Sequence, residues 1–231
     1  MEFPQLSLSY SSYSARNNPW LLITGGRAPA TSWLTQLRGF DRCWAADHGI
    51  DTCQQANLIP DVLLGDGDSA SPQSWDWAKN LGVSLKEYPV AKDFTDTQLA
   101  LKLMIEAGAP AIIVTGAFGG RFDHAYSTMF SCASLDIPCA LIDESEALIY
   151  AQPDQSITLA FATIPKAISL LPFTESCSGV TINNVRWPLT DATLTQQFPQ
   201  AVSNELLTGQ TDLSICVKTG KLGVYCYWEA P

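Results

Sequence analysis

Ala111-Ile112-Ile113-Val114-Thr115-Gly116-Ala117-Phe118-Gly119-Gly120-Arg121-Phe122-Asp123-His124 begins as a charge-free, β-branched run and ends in three glycines, an arginine, an aspartate and a histidine. The first half predicts a buried strand, and the second half predicts its carboxyl end fitted for chemistry. In a parallel α/β sheet, ligands sit beyond the carboxyl ends of strands. Glycines there let backbone N–H groups approach an anion closely, so Gly116, Gly119 and Gly120 are candidates to cradle phosphate. Arg121 adds a positive fork. Asp123 is the informative residue, because a carboxylate beside a phosphate is repulsive unless a divalent cation lies between them. Two readings therefore stand for this stretch: a metal–polyphosphate site, or a glycine-rich turn closed by an Arg121–Asp123 ion pair.

Working outward, the same strand-then-helix rhythm recurs. Trp20-Leu21-Leu22-Ile23 runs into Thr24-Gly25-Gly26 and a helical pattern with Trp33, Leu34 and Leu37. Cys43-Trp44-Ala45-Ala46 runs into Asp47-His48-Gly49 and a short helix. Val62-Leu63-Leu64 runs into Gly65-Asp66-Gly67-Asp68-Ser69, after which Ser71-Pro72 is a cap and first-turn pair. A weaker strand over 84–88 leads to Lys92-Asp93-Phe94-Thr95-Asp96 and another helix, and Cys139-Ala140-Leu141-Ile142 closes the series. This alternation predicts a mostly parallel sheet covered on both faces by helices. Beyond about Tyr150 the helical period disappears and strand-like segments follow, the last two read as a hairpin of Leu213–Lys218 and Leu222–Trp228 about Thr219-Gly220. The expectation is an α/β catalytic domain over 1–150 and a smaller all-β domain over 151–231, with residues 1–18 as an arm of unspecified structure.

Composition narrows the partners. The 231 residues carry a formal charge of −10, which disfavours nucleic acid and anionic membrane surfaces, since both require a cationic face. Seven cysteines without a Cys-x-x-Cys pair or zinc-ligand spacing read as reduced core residues of a cytosolic chain. Two histidines, His48 and His124, are too few for a His-rich zinc site. No secretory signal pattern and no apolar run of about 18 residues is present, so the expectation is a soluble, cytoplasmic protein with a small ligand.

Gly65-Asp66-Gly67-Asp68-Ser69-Ala70 matches the dinucleotide pattern G-x-G-x-x-G/A. It is rejected as such, because two of its intervening positions are aspartates that would repel a pyrophosphate bound without metal. No Walker A loop is present. What stands out instead is acid at three successive junctions: Asp66 and Asp68, Asp93 and Asp96, and Asp123. Parallel strands would bring these acids to one edge, where mutual repulsion calls for a cation, and all-oxygen ligation points to Mg²⁺ or Mn²⁺.

Taken in order, Ala46-Asp47, the Pro60 to Ser69 segment, Lys92 to Asp96, Gly116 to His124 and Ser203-Asn204-Glu205 resemble the thiamine pyrophosphokinase family from about residue 20 to about residue 220. The resemblance implies a β-sandwich second domain that binds thiamine and dimerises. It also implies a homodimer whose acceptor lies between the β domain of one chain and the α/β domain of the other, and transfer of a pyrophosphoryl group from ATP to the hydroxyethyl arm of thiamine. Asp66, Asp68, Asp96 and Asp123 are then the metal and hydroxyl-positioning acids, with Arg121 on phosphate. Asp47, Gly65, Ser69, Lys92, Thr95, Gly116, Gly119, Gly120 and His124 fall on the nucleotide side, Ser203 and Asn204 on the thiamine side, and Trp187 is a stacking face. His48 departs from the family's usual Asp-Gly-Gly. A pyrophosphokinase for a pterin-type alcohol, or a non-catalytic thiamine or nucleotide sensor, are the alternatives.

Overall fold

A computed structural model describes residues 1–11, 18–65, 67, 70–88 and 93–229. Asp66, Asp68, Ser69 and Lys92, four of the expected site residues, lie outside the described residues. The chain divides into two compact units, Asn17–Asp143 and a second made of Met1–Arg16 with Glu144–Pro231.

The first unit alternates strand and helix: β2 (Trp20–Ile23), α1 (Thr31–Leu34), β3 (Arg42–Ala46), α2 (Gly49–Gln55), β4 (Val62–Gly65), α3 (Pro72–Asn80), β5 (Ser84–Glu87), α4 (Asp96–Glu106), β6 (Ile112–Thr115), α5 (Phe122–Ala133) and β7 (Cys139–Ile142). Its strands lie in the order β7-β6-β2-β3-β4-β5, each pair parallel. The strands β2, β4, β6 and β7 are buried along their whole length, as a sheet covered on both faces requires, whereas the edge strand β5 carries the polar residues Ser84, Lys86 and Glu87. The helices start where their sequences can satisfy free N–H groups. Ser71 accepts from the Ser74 N–H ahead of Pro72 in α3, and Thr95 with Gln98 forms a reciprocal capping box on α4. Chain order runs outward from β2 to β5 and then returns to the other side of β2 with β6. The reversal leaves a crevice between β2 and β6, the place where open α/β sheets bind ligands.

The second unit is all β. One antiparallel sheet has the order β1-β9-β13-β11-β12, from β1 (Leu6–Tyr10), β9 (Gln155–Phe161), β13 (Asp212–Val217), β11 (Ser176–Ile182) and β12 (Leu189–Thr195). Another set, β10-β14-β8, comprises β10 (Ala167–Pro172), β14 (Leu222–Tyr227) and β8 (Glu146–Ala151), again antiparallel. Phe161 of β9 meets Trp228 just beyond β14, with ring centroids 6.2 Å apart, so the apolar faces of the two sets share a core.

Three expectations change here. The boundary moves from 150/151 to 143/144, because β8 pairs with β14 and so belongs with the all-β unit. The N-terminal arm also joins that unit, with β1 zipped onto β9 from Leu6 opposite Phe161 to Tyr10 opposite Ile157. The expected terminal hairpin is absent among the described residues: β13 pairs with β9 and β11, while β14 pairs with β10 and β8. Alternation told correctly which face of each strand is buried, but a buried face is equally served by either sheet, and the Thr219-Gly220 turn carries the chain from one to the other.

All seven cysteines are free thiols, six of them buried. No helix among the described residues is long and apolar enough to cross a membrane.

Gly116 holds the crevice together. At φ +70° it occupies left-handed backbone, and a Cβ there would strike the Thr24 carbonyl oxygen. Gly116→Ala is therefore expected to destabilise the α/β unit by about 1–3 kcal/mol. Urea unfolding checks this, and parental stability would show that the close approach is dispensable.

Candidate active site

A cavity of about 490 Å³ opens at the crevice. Its walls come from the ends of β2, β3 and β6 and from the first turns of α4 and α5. The loops after β2 and β6 are stitched to each other: Thr24 N–H donates to Thr115 O at 2.9 Å, Thr24 Oγ1 to Gly116 O at 2.7 Å, Gly26 N–H to Gly116 O at 2.7 Å and Arg27 N–H to Phe118 O at 2.6 Å. Below them the Arg27 guanidinium donates at 2.6 Å to Asp143, whose side chain is fully buried at the end of β7.

Of the expected nucleotide-side residues, Asp47, Thr95, Gly116, Gly119, Gly120, Arg121 and His124 all line this cavity. Asp47 adopts φ +47°, a left-handed conformation that aspartate tolerates, and its N–H donates to Leu64 O at 2.8 Å. At Gly65 a Cβ would collide with Asp47 Oδ1, so its bareness makes room for the Asp47 carboxylate. Asp96 opens α4 directly after its Thr95 cap and also lines the cavity. It reaches there although β5 is the far edge of the sheet. Asp93 is exposed and does not contribute to the wall.

Asp123 stands apart from the cavity wall. Both its oxygens face Arg121, which donates through Nε at 3.1 Å and Nη2 at 2.6 Å, and the His124 N–H donates to it at 3.0 Å. The hydrogen bond from Arg121 holds the Asp123 carboxyl below its ordinary range, and the same bond raises Arg121. Of the two readings of this stretch, the ion pair is thus formed, yet Arg121 remains on the cavity wall and both partners are largely solvent-exposed. Water screens such a pair, so an anion entering the cavity competes with Asp123 at small cost.

Among the described residues no three His, Cys, Asp or Glu side chains gather as a ready metal cage. The donors that line the cavity are the carboxylates Asp47 and Asp96, each with a buried oxygen, and these suit a hard, oxygen-seeking cation such as Mg²⁺. The N-terminal turns of α4, which carries Asp96 itself, and of α5 also reach the wall, and their partial positive charge favours anions. Carboxylates and anion-favouring helix ends thus share one cavity. Sequence reasoning missed the contributions of Thr24, Gly25, Gly26, His48, Phe94 and Thr128 to the wall. The glycine pair after β2 was a legible signal; the others depend on which loops meet.

In the all-β unit, a second cavity of about 430 Å³ is lined by Trp187, Leu170, Leu194, Val202, Ser203 and Asn204 among others. Trp187 is 53% exposed, so it is not core, and the Arg186 guanidinium lies over its ring at 4.7 Å from the centroid. Asn204 is occupied with Trp187: its Oδ1 accepts from the Trp187 N–H at 3.1 Å and its Nδ2 donates to the Trp187 carbonyl at 2.8 Å. Its part is to fix the aromatic ring's backbone. Ser203 sits at φ +58° with its N–H on Ser169 Oγ at 3.0 Å.

Two family models match the chain, the thiamin pyrophosphokinase catalytic domain over residues 37–139 and the thiamin pyrophosphokinase vitamin B1 binding domain over 156–222. The thiamine pyrophosphokinase of Bacillus subtilis is 27% identical over 190 residues, spanning 80% of this chain and 88% of the relative. Thiamine pyrophosphokinase 1 of Oryza sativa subsp. japonica is 25% identical over 144 residues, 58% of this chain and 54% of the relative. Among solved structures, the Bacillus subtilis thiamine pyrophosphokinase superposes with a TM-score of 0.79 at 22% identity, covering 91% of this chain and 99% of that one. The Candida albicans thiamin pyrophosphokinase gives 0.74 at 14% identity, with 93% and 90% covered. At these identities the superpositions speak to the fold.

The capping box is what sets Asp96 at the cavity. Thr95→Ala is expected to cost about 0.5–2 kcal/mol of stability, with Thr95→Ser close to the parent. Chemical denaturation of both variants checks this, and an unchanged Thr95→Ala midpoint would show that α4 is held by packing alone.

Proposed function

Since this chain belongs to the thiamin pyrophosphokinase family, and is thus a diphosphotransferase that forms thiamine diphosphate, we propose that its donor is ATP held with Mg²⁺ or Mn²⁺ in the crevice between β2 and β6. The observation that carries this reading is the crevice cavity itself, where two helix N-termini, glycine backbone and Arg121 share a wall with Asp47 and Asp96. A γ-phosphoryl kinase commonly grips the terminal phosphates with a Walker A or kinase-type glycine loop, and this sequence has neither.

In the proposed reaction the hydroxyethyl oxygen of thiamine attacks the β-phosphorus of ATP. The bond from that phosphorus to the oxygen bridging the α-phosphorus breaks, and its electron pair leaves with AMP. Thiamine diphosphate is the other product, and the hydroxyl proton passes to a carboxylate. Asp96 aligns the attacking hydroxyl, and Arg121 exchanges Asp123 for a phosphate oxygen. The N–H groups around Gly116, Gly119 and Gly120 receive the polyphosphate, with Asp47 and His124 beside them. Asp66, Asp68, Asp96 and Asp123 would hold the divalent cation, which would supply charge neutralisation on the phosphates. Lys92 and Ser69 complete the nucleotide side. Trp187 offers its ring to the cationic thiazolium of thiamine in the cavity of the all-β unit, a favourable cation–π contact, with Ser203 beside it and Asn204 holding the ring in place.

Chromatography of products from Mg-ATP and thiamine tests the reaction. AMP and thiamine diphosphate are expected in equal amounts, and none in excess EDTA. Asp96→Ala should lower kcat at least about 100-fold while changing ATP affinity far less. Stoichiometric ADP with thiamine monophosphate would overturn pyrophosphoryl transfer, and full turnover in EDTA would remove the metal.

The chain is further proposed to act as a cytoplasmic homodimer, in keeping with its free, buried thiols and with an exposed Trp187 that a monomer leaves to solvent. Sedimentation at the working concentration is expected to give twice the 25.1 kDa chain mass. A fully active monomer would contradict the assembly.

A further inference from the structure

Asp51 is a buried carboxylate that no step above employs. It lies on α2 at 9% exposure and collects donors from two neighbouring segments: the Ser71 N–H at 3.3 Å, the Ser71 hydroxyl at 2.5 Å, the Ser74 hydroxyl, and Nδ1 of His48 at 2.8 Å. Burial alone would raise its pKa. The hydrogen bonds from Ser71 and Ser74 and the charge of His48 outweigh burial, so the carboxyl is held below its ordinary range and stays ionised.

The serines explain themselves as the cap and first turn of α3, but His48 does not. It stands in the wall of the crevice cavity, its side chain 56% exposed, and its Cβ lies so close to Gly25 that a Cβ there would come within 2.9 Å. The contact with Asp51 ties one ring nitrogen to a buried anion while the imidazole stays exposed in the cavity wall. Its Nδ1 faces Asp51 at 2.8 Å, and the ring belongs to the lining of the cavity. A neighbour that orients one ring nitrogen so that the other can act is the ordinary means by which proteins put histidine to use.

We infer that His48 contacts the polyphosphate chain of the nucleotide in this cavity and that Asp51 is the positioning residue that holds it there. In the complex both ring nitrogens donate, Nδ1–H to Asp51 and Nε2–H to a phosphate oxygen. The inference rests on the reading of the cavity as a polyphosphate site. Both residues lie within the matched catalytic segment, yet neither is among the glycines and strand-end acids that the sequence pattern singles out.

The test uses the full chain and Mg²⁺ with α,β-methylene-ATP, which binds without transferring its pyrophosphoryl group. Calorimetric affinities are compared for the parent, His48→Ala, Asp51→Asn and the double variant. Each single change is expected to weaken binding by about tenfold or more, the scale of one charge-assisted hydrogen bond. The double variant should be no weaker than the worse single, because Asp51 acts through His48. Thermal melts of all four keep stability apart from affinity. A merely structural Asp51 would lower Tm in Asp51→Asn, with or without His48, and leave the affinity of the folded protein unchanged; that result overturns the inference. So do losses that multiply in the double variant. A parent chain that binds no analogue removes the polyphosphate reading and this assignment with it, an outcome distinct from parental affinity with insensitive variants.

Discussion

The stitching of two loops at the crevice is the constraint on which the catalytic unit depends. Thr24 and Gly26 follow β2, Thr115 ends β6 and Gly116 follows it, and four backbone or hydroxyl donations join them at hydrogen-bonding distance. Such closeness is possible only because Gly26 and Gly116 lack side chains, since a Cβ on either would meet the other loop's carbonyl oxygens. The two loops are thereby joined into one rim around the cavity. Arg27 extends the rim to a third strand by its contact with Asp143, a buried charge whose partner must stay in place.

Electrostatics at this rim is arranged in tension. Asp47 and Asp96 bring negative charge to a cavity where two helix N-termini favour anions. The proposed metal–polyphosphate would satisfy both. The Arg121–Asp123 pair fits the same logic, because two exposed partners lose little when one of them is exchanged. Asp51 is the contrasting case, a carboxylate drawn out of water and therefore bound to a fixed set of donors.

In the all-β unit the exposed Trp187 is held from behind rather than packed in front. Asn204 clasps its backbone on both sides, and Arg186, itself paired with Glu205 at 3.3 Å, lies on its ring. An aromatic surface kept in one orientation at the edge of a cavity loses little freedom when a flat cation lands on it.

The sequence by itself determined the alternation of strand and helix, the all-β texture of the second unit, and the residue types of the site. These properties are local: burial on both faces writes continuous apolar runs, helix starts write Ser71-Pro72 and Thr95 with Gln98, and close backbone approach writes glycine. Strand order is not local, and only the tertiary structure decided it. The return of β6 to the far side of β2 placed the crevice, brought Thr24, Gly25 and His48 into the wall beside Arg121, and left Asp123 outside it. The same limit explains the missing hairpin and the shifted boundary, because β13, β14 and β8 advertise a buried face without saying which neighbour supplies their hydrogen bonds. Periodicity records what a residue's surroundings must be like, whereas pairing and convergence depend on which distant segment provides them.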